Sequence, residues 1–209
     1  MPVYVVANPK GGVGKSTLST NLAGYLARRG HATMLGDTDR QQSALTWLKL
    51  RPEAAPAIGT WDVSHDHVVK PPKGTTHVVL DTPAGLHGKR LEEIMKLADK
   101  VLVPLQASIF DIYATRDFLA TLIERRKHDK VDIAVIGNRV RDHTIAADQL
   151  RHFLAEHLGP LKIPVLGALR DTQNYVHLAA RGLTLWDVAP GRVERDLEQW
   201  QPVVRWSDA

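Results

Sequence analysis

The stretch that decides the fold reads Asn8-Pro9-Lys10-Gly11-Gly12-Val13-Gly14-Lys15-Ser16-Thr17. A strand-length apolar run, Val3–Ala7, precedes it, and apolar residues recur at helical spacing after it as far as about Arg29. The glycines let backbone N–H groups converge on phosphate oxygens, and the N-terminus of the following helix adds positive charge. A glycine-rich turn that merely joins a strand to a helix is the structural alternative. The order strand, loop and helix favours a phosphate-binding loop.

The loop departs from the general pattern G-x-x-x-x-G-K-[ST]. Gly14-Lys15-Ser16 supplies the end of that pattern, but Pro9 occupies the position of the first glycine, and Lys10 adds a second lysine. Lys15 is suited to neutralise the β- and γ-phosphates, and Ser16 to place its hydroxyl on Mg²⁺. We therefore expect ATP and Mg²⁺ at this loop.

Apolar runs of strand length alternate with helical patterns along the rest of the chain. The runs are continuous rather than alternating, which is typical of parallel strands covered on both faces. We predict one α/β domain over residues 1–209, a P-loop NTPase with a mostly parallel twisted sheet and helices on both faces. Only residues 51–75 give no clear period. Ligands of such sheets bind beyond the carboxyl ends of the strands, and four polar residues are predicted there: Asn8, Asp37, Asp39 and Asp81.

Composition narrows the chemistry. The chain has no cysteine, which excludes disulfides, thiolate metal sites and a cysteine nucleophile, and it fits a reducing cytosol. No signal peptide is recognisable, and no run reaches the roughly 18 apolar residues of a membrane helix, so we expect a cytoplasmic protein. The formal charge of +4 permits an anionic partner without identifying one.

Several segments together resemble the ParA/MinD family of deviant Walker A ATPases. NPKGGVGKST at 8–17 is similar to that Walker A motif, GDTDRQQS at 36–43 to the D-x-D-P-Q segment, and VVLDTPAG at 78–85 to the Walker B strand. ADKVLVPLQAS at 98–108 and VIGNRV at 135–140 match in character and order. The resemblance covers nearly the whole chain. It is strongest to small ParA-like partition ATPases without an N-terminal helix-turn-helix domain, so autoregulation by specific DNA binding is not expected.

The resemblance implies roles for the matching positions. The implied ATP-binding residues are Lys10, Gly11, Gly12, Val13, Gly14, Lys15, Ser16, Thr17, Asn138 and Arg139, with the last two facing the adenine. The implied magnesium site comprises Ser16, Asp39 and Asp81, and the implied catalytic residues are Lys10, Lys15 and Asp39. Lys10 would reach across an ATP-bridged dimer to the partner's phosphates, and Asp37 would support Lys10 or the loop. For Asp37 and Asp81, a helix cap or turn residue is the alternative. Arg40 stands where the family usually has proline.

The same resemblance implies a positioning switch. Such a protein forms a homodimer with ATP, binds nucleoid DNA without sequence preference, and leaves the DNA when a ParB-like or other adaptor stimulates its slow hydrolysis. The cargo would be a plasmid, a chromosome or a large protein complex. The basic residues proposed to contact DNA are Arg141, Arg170, Arg181 and Arg192, for which a solvated surface role is the alternative.

Two further functions compete with this one. A MinD-like membrane ATPase would use a C-terminal amphipathic helix, and Val193, Leu197, Trp200 and Val204 do recur at helical spacing. Acidic residues on the polar face and an interruption expected at Pro202 favour core packing instead. An ATP-dependent amidase or synthetase of the same superfamily would need a substrate-binding domain or a glutaminase nucleophile, and neither is recognisable. A metal pair at 65–67 lacks a third ligand, which favours a polar loop.

Overall fold

The computed structural model describes residues 1–63, 70–126, 131–141, 144–158 and 161–209. The strands are β1 (Val3–Val6), β2 (Thr33–Asp37), β3 (Gly59–Trp61), β4 (His77–Asp81), β5 (Lys100–Leu105), β6 (Asp132–Val140) and β7 (Val165–Arg170). They form a seven-stranded sheet in the order β3-β2-β4-β1-β5-β6-β7, and every neighbouring pair is parallel. The predicted parallel sheet is confirmed.

Helices cover both faces of this sheet. They are α1 (Lys15–Arg28), α2 (Ser43–Lys49), α3 (Gly88–Met95), α4 (Ile109–Arg126), α5 (Ile145–Phe153), α6 (Gln173–Ala179) and α7 (Glu194–Asp208). Two apolar clusters result, one on each side of the sheet, because successive residues of a strand point to opposite faces. Val5 belongs to one cluster and Tyr4 and Val6 to the other, and all three are buried. This two-sided burial is why the strands read as continuous apolar runs.

The carboxyl ends of the central strands lie side by side at one edge. Register pairs Val6 of β1 with Asp81 of β4, and Asp37 of β2 with the same Asp81. The phosphate-type loop leaves β1 at this edge, so acids far apart in sequence meet beside it. This arrangement is the one expected for ligand binding in a parallel sheet.

The structure differs from the sequence prediction around residues 59–61 and 154–170. β3 lies in the stretch that gave no clear period, and among the described strands it pairs with β2 alone, at the sheet edge. The apolar run Ile163–Leu166 predicts a strand at those residues, whereas the observed β7 covers Val165–Arg170. A π-helical turn, Leu154–Leu158, follows α5. The possible metal pair at 65–67 lies outside the described residues.

The expected interruption at Pro202 is wrong, because α7 continues through this residue to Asp208. Proline removes one helical N–H donor, so the surrounding contacts must hold the helix. Trp200 and Val203 are fully buried against the sheet and Trp206 nearly so. Core packing, the favoured reading of this segment, is therefore what the structure has. Across the described ranges, no helix combines the length and apolar character needed to span a membrane.

Candidate nucleotide-binding site

The glycines of the loop adopt backbone conformations that other residues rarely take. Gly12 has φ of 77° and Gly14 has φ of 93°, both in the left-handed region. The carbonyl of Gly14 accepts the first helical bond of α1, from the N–H of Leu18 at 3.0 Å. A Cβ on Gly14 would lie 2.1 Å from Nδ2 of Asn138, so a larger residue there would also have to displace a neighbouring side chain.

Two amide side chains, to which the sequence analysis gave no role of their own, hold the loop in place. Asn8 is fully buried, and its Nδ2 donates to the Pro104 carbonyl at 2.8 Å and to Thr115 Oγ1 at 2.9 Å, while its Oδ1 accepts from the N–H of Lys10 at 2.8 Å. Gln106 Nε2 donates to the Gly12 carbonyl at 2.9 Å. Both amides tie the loop to the end of β5. The sequence signal for both residues is their position just after a strand, at the edge where ligands of a parallel sheet bind.

Lys15 folds over the loop that it follows. Its Nζ donates to the Lys10 carbonyl at 2.7 Å, and the residue is 8% exposed. Burial lowers the pKa of this ammonium, and the negative charges of Asp81 and Asp39 act in the opposite direction. Among the described residues the Lys10 carbonyl is the one hydrogen-bond partner of the ammonium, which suits it to bind an anion, since a phosphate oxygen would offset its desolvation.

Asp81 lies behind the start of α1 and is only 1% exposed. Ser19 Oγ donates to its Oδ1 at 3.1 Å, and Ser16 also hydrogen-bonds this carboxyl. Burial raises the pKa of Asp81 to about 7, and the nearby charge of Asp37 adds to the rise, whereas the two serines and Lys15 oppose it. The carboxyl therefore orients Ser16, the residue that the family resemblance assigns to the metal.

The segment after β2 is built around a second buried acid. Asp37 accepts the N–H of Asp39 at 2.9 Å on Oδ1 and the N–H of Ala44 at 2.9 Å on Oδ2. Asp39 in turn accepts the N–H of Gln41 at 3.0 Å. Asp37 thus acts as a turn residue that shapes the segment and leaves the Asp39 side chain half-buried at the site.

These elements enclose a cavity of about 730 Å³ at the carboxyl edge of the sheet. Its lining comes from three loops: Gly11, Gly12, Gly14, Lys15, Ser16 and Thr17 after β1; Thr38, Asp39, Arg40, Gln41 and Ser43 after β2; and Thr82, Pro83 and Ala84 after β4, with Arg139 at one side. The lining thus combines glycine backbone, the lysine Lys15 and hydroxyl residues such as Ser16 and Thr17. This combination suits a polyphosphate.

A second cavity of about 450 Å³ adjoins the first, and Thr17 and Arg139 line both. Its other walls come from β6, the end of β7 and α6, with Asn138 and Tyr175 among them. Asn138 is buried and its Nδ2 donates to the Val13 carbonyl at 2.7 Å. Exposed Arg139, at a φ of 52°, donates to the Gly12 carbonyl at 3.3 Å. The two residues thus join the loop to a space of the size a base and sugar need.

Oxygen ligands suited to Mg²⁺ flank the larger cavity. Ser16 and Asp39 line it, and Asp81 stands directly behind Ser16. Among the described residues, no group of three or more His, Cys, Asp or Glu side chains could hold a metal alone. Mg²⁺ usually keeps several waters and takes further oxygens from substrate phosphates, so the residues fit a metal that arrives with its nucleotide.

The four arginines proposed for DNA contact have different surroundings. Arg170 pairs with the fully buried carboxylate of Asp196, which also accepts from Asn174 Nδ2 at 2.6 Å. Exposed Arg141 pairs with Asp171 at 3.1 Å. Arg181 and Arg192 are exposed. Because Arg170 is needed by a buried acid, it is the least available of the four.

Comparison with known proteins identifies the family. Residues 4–185 match the family model described as the CobQ/CobB/MinD/ParA nucleotide binding domain. The chain belongs to this family. Among its relatives, the chromosome-partitioning ATPase Soj of Thermus thermophilus is 29% identical over 74% of this chain and 76% of its own. The maintenance of carboxysome distribution protein A of Halothiobacillus neapolitanus is 28% identical over 91% of this chain and 90% of its own.

Solved structures of the ParA/MinD family share the fold. An ATP complex of a Cyanothece McdA variant superposes with a TM-score of 0.75 at 15% identity, covering 97% of this chain and 96% of that chain. The MinC:MinD complex of Aquifex aeolicus gives a TM-score of 0.71 at 18% identity, covering 100% and 96%. The resemblance found from motifs is thus confirmed at the level of family and fold.

Proposed function

We propose that this chain is an ATP-dependent dimerising ATPase that binds DNA non-specifically and positions a cargo, with hydrolysis stimulated by an adaptor protein. The observation that carries the proposal is the pair of adjoining cavities around the lysine-bearing loop. One has the converging donors that a triphosphate needs, and the other has room for the nucleoside. The relatives named for partitioning and for carboxysome distribution support the positioning role.

Within this proposal, Lys15, Ser16 and the backbone of Gly11–Gly14 bind the phosphates. Mg²⁺ would polarise the terminal phosphoryl group while held by Ser16 and oriented by Asp39 and Asp81. Asp39 is half-buried in the cavity wall, where it can also orient an attacking water. Apart from the Asp39 carboxylate, the described residues that line this cavity offer no general base, so hydrolysis would depend on electrostatic stabilisation and be slow.

Lys10 is proposed to act on the partner's nucleotide. The residues lining the loop's own cavity begin with Gly11, and the half-buried Lys10 contributes its carbonyl to Lys15 rather than a cation to the cavity. A second copy facing this edge would bring the Lys10 ammonium to the opposite triphosphate. We expect Lys10→Ala to keep ATP binding within a few-fold and to remove adaptor-stimulated turnover. Unchanged turnover in this variant would refute the trans role.

DNA binding is proposed for the ATP-bound dimer, in the cytoplasm and on the nucleoid. The test measures binding of a random-sequence duplex with ATP, with ADP and without nucleotide, across a salt series. We expect binding only with ATP and a steep loss of affinity with salt, because phosphate contacts release counterions. The variant Arg181→Ala/Arg192→Ala should lower affinity and flatten the salt dependence. Equal binding in all three nucleotide states would remove the switch.

A membrane role through the C-terminal helix has no support in the packing of α7. Its apolar side is already buried, with Trp200 and Val203 fully covered and Trp206 nearly so. Tyr4 and Lys100 also donate to the carbonyls of Ser207 and Trp206, at 2.9 Å and 2.5 Å. A membrane surface would have to compete with these contacts.

A further inference from the structure

Three cationic side chains line the larger cavity, the one of about 730 Å³ around the loop, and two of them already have partners. Lys15 donates to the Lys10 carbonyl at 2.7 Å, and Arg139 donates to the Gly12 carbonyl at 3.3 Å. The third is Arg40, which is exposed. No hydrogen bond or ion pair joins Arg40 to another described residue, although Asp62 lines a smaller cavity on its other side. As far as the described residues go, its guanidinium is therefore free to contact a ligand.

The strand order defines which end of a nucleotide Arg40 would meet. The cavity proposed for the nucleoside lies beside β6 and β7, and the phosphate loop follows β1. Arg40 follows β2, which lies on the far side of β1 from β6 and β7, beyond β4. A nucleotide that runs from the second cavity across the loop therefore points its last phosphate toward the segment that carries Arg40.

The backbone around Arg40 is held in a defined shape. Asp37 accepts the N–H groups on both sides of the segment, those of Asp39 and Ala44. The N–H of Gln42 donates to the Asp39 carbonyl at 3.1 Å, and Gln42 itself is left-handed at a φ of 49°. The base of the Arg40 side chain is thus positioned by the fold, while its guanidinium has no hydrogen bond or ion pair with the residues that the structure describes.

We propose that Arg40 is a phosphate ligand supplied in cis, which contacts the terminal phosphate of ATP and makes the monomer favour ATP over ADP. This inference rests on the proposed nucleotide site and adds a determinant at the position where the family usually has proline. A guanidinium is suited to the role because its planar donors match phosphate oxygens in a two-point contact. ADP, which ends one phosphate earlier, would not gain this contact.

The test compares binding of a non-hydrolysable ATP analogue and of ADP, both with Mg²⁺, by isothermal titration calorimetry. All variants carry Lys10→Ala, so that a lysine from a second copy cannot contribute. We expect Arg40→Ala to weaken binding of the ATP analogue by about tenfold, the usual scale of one charge-assisted hydrogen bond, with ADP affinity changed less than about twofold. Arg40→Lys should lose less, because it keeps the charge and only the two-point geometry is removed.

The matched control is Lys49→Ala, which removes one exposed cation at the other end of α2 and should change neither affinity. An equal loss for both nucleotides in Arg40→Ala, or no loss for either, would overturn the inference while leaving the proposed ATP site intact. Failure of the parent protein to bind either nucleotide would refute the proposed function itself. Thermal unfolding of each variant without nucleotide checks that the fold is unchanged.

Discussion

Gly14→Ala is the substitution whose effect the structure defines most closely. The new methyl group would lie 2.1 Å from Nδ2 of Asn138, and the residue would have to keep a φ of 93°. Holding a non-glycine residue in the left-handed region costs about 1–2 kcal/mol. Displacing Asn138 also breaks its 2.7 Å hydrogen bond to the Val13 carbonyl. Loss of this buried bond costs about 1–3 kcal/mol.

Together these terms predict a destabilisation of about 2–5 kcal/mol for Gly14→Ala. Gly12→Ala is the matched control, because Gly12 is also left-handed, at 77°, but a Cβ there meets nothing within 4 Å. It should lose only the strain of about 1–2 kcal/mol. The comparison therefore separates the collision from the backbone strain.

Urea unfolding followed by tryptophan fluorescence measures these differences, with circular dichroism as the check on two-state behaviour. The decisive variant is the double mutant Gly14→Ala/Asn138→Ala, in which the colliding side chain is gone. Its destabilisation should fall short of the sum of the single effects by about 1–3 kcal/mol, since both changes remove the same hydrogen bond. Simple additivity, or a Gly14→Ala effect no larger than that of Gly12→Ala, would refute the reasoning.

Three further predictions concern the region where α7 packs and the two 3₁₀ turns that precede it, Leu185–Asp187 and Pro190–Arg192. Arg51→Ala should destabilise the protein by about 3–5 kcal/mol in urea unfolding, because it leaves the buried Asp187 carboxylate without its ion-pair partner. The Asp187 side chain is 2% exposed and pairs with Arg51 at 2.9 Å. Burial raises the pKa of Asp187, but hydrogen bonds from Arg51 and Thr184 outweigh it and lower the pKa overall. The pair should therefore stabilise the fold fully above the unfolded carboxyl pKa of about 3.9 and lose that contribution as pH falls through the lower folded pKa. If the difference in unfolding free energy between wild type and Arg51→Ala stayed constant from neutral to strongly acidic pH, this would be contradicted. Trp200→Ala should cost about 3–5 kcal/mol, because Trp200 is fully buried. Trp200→Phe should cost less: both variants lose the 2.9 Å hydrogen bond from Nε1 to Tyr175, but phenylalanine keeps part of the buried packing. Equal unfolding midpoints for the two variants would argue against a contribution from packing.

Some elements of the fold can be predicted from local sequence and others cannot. The strands were readable because each residue of a two-sided parallel strand is buried, so the run is apolar regardless of its neighbours. The sequence does not predict β3, because this strand has three residues and lies at the edge of the described sheet, which leaves little apolar signal in a proline-rich stretch. The continuation of α7 through Pro202 was also hidden, because local propensity opposes it and only burial of the residues around it decides the outcome.

The sequence by itself determined the fold class, the phosphate loop and the family. These follow from the order of apolar runs and from a contiguous motif, Lys10–Thr17, whose three glycines, two lysines and serine all lie within eight residues. The tertiary structure alone decided which side chains are free to act. Asn138 is committed to the Val13 carbonyl, 125 residues away, and Arg170 to a buried acid, whereas Arg40 pairs with no residue in the described part of the chain. A residue type shows what chemistry a side chain can perform, but only the packing of distant segments determines whether its donors are already used.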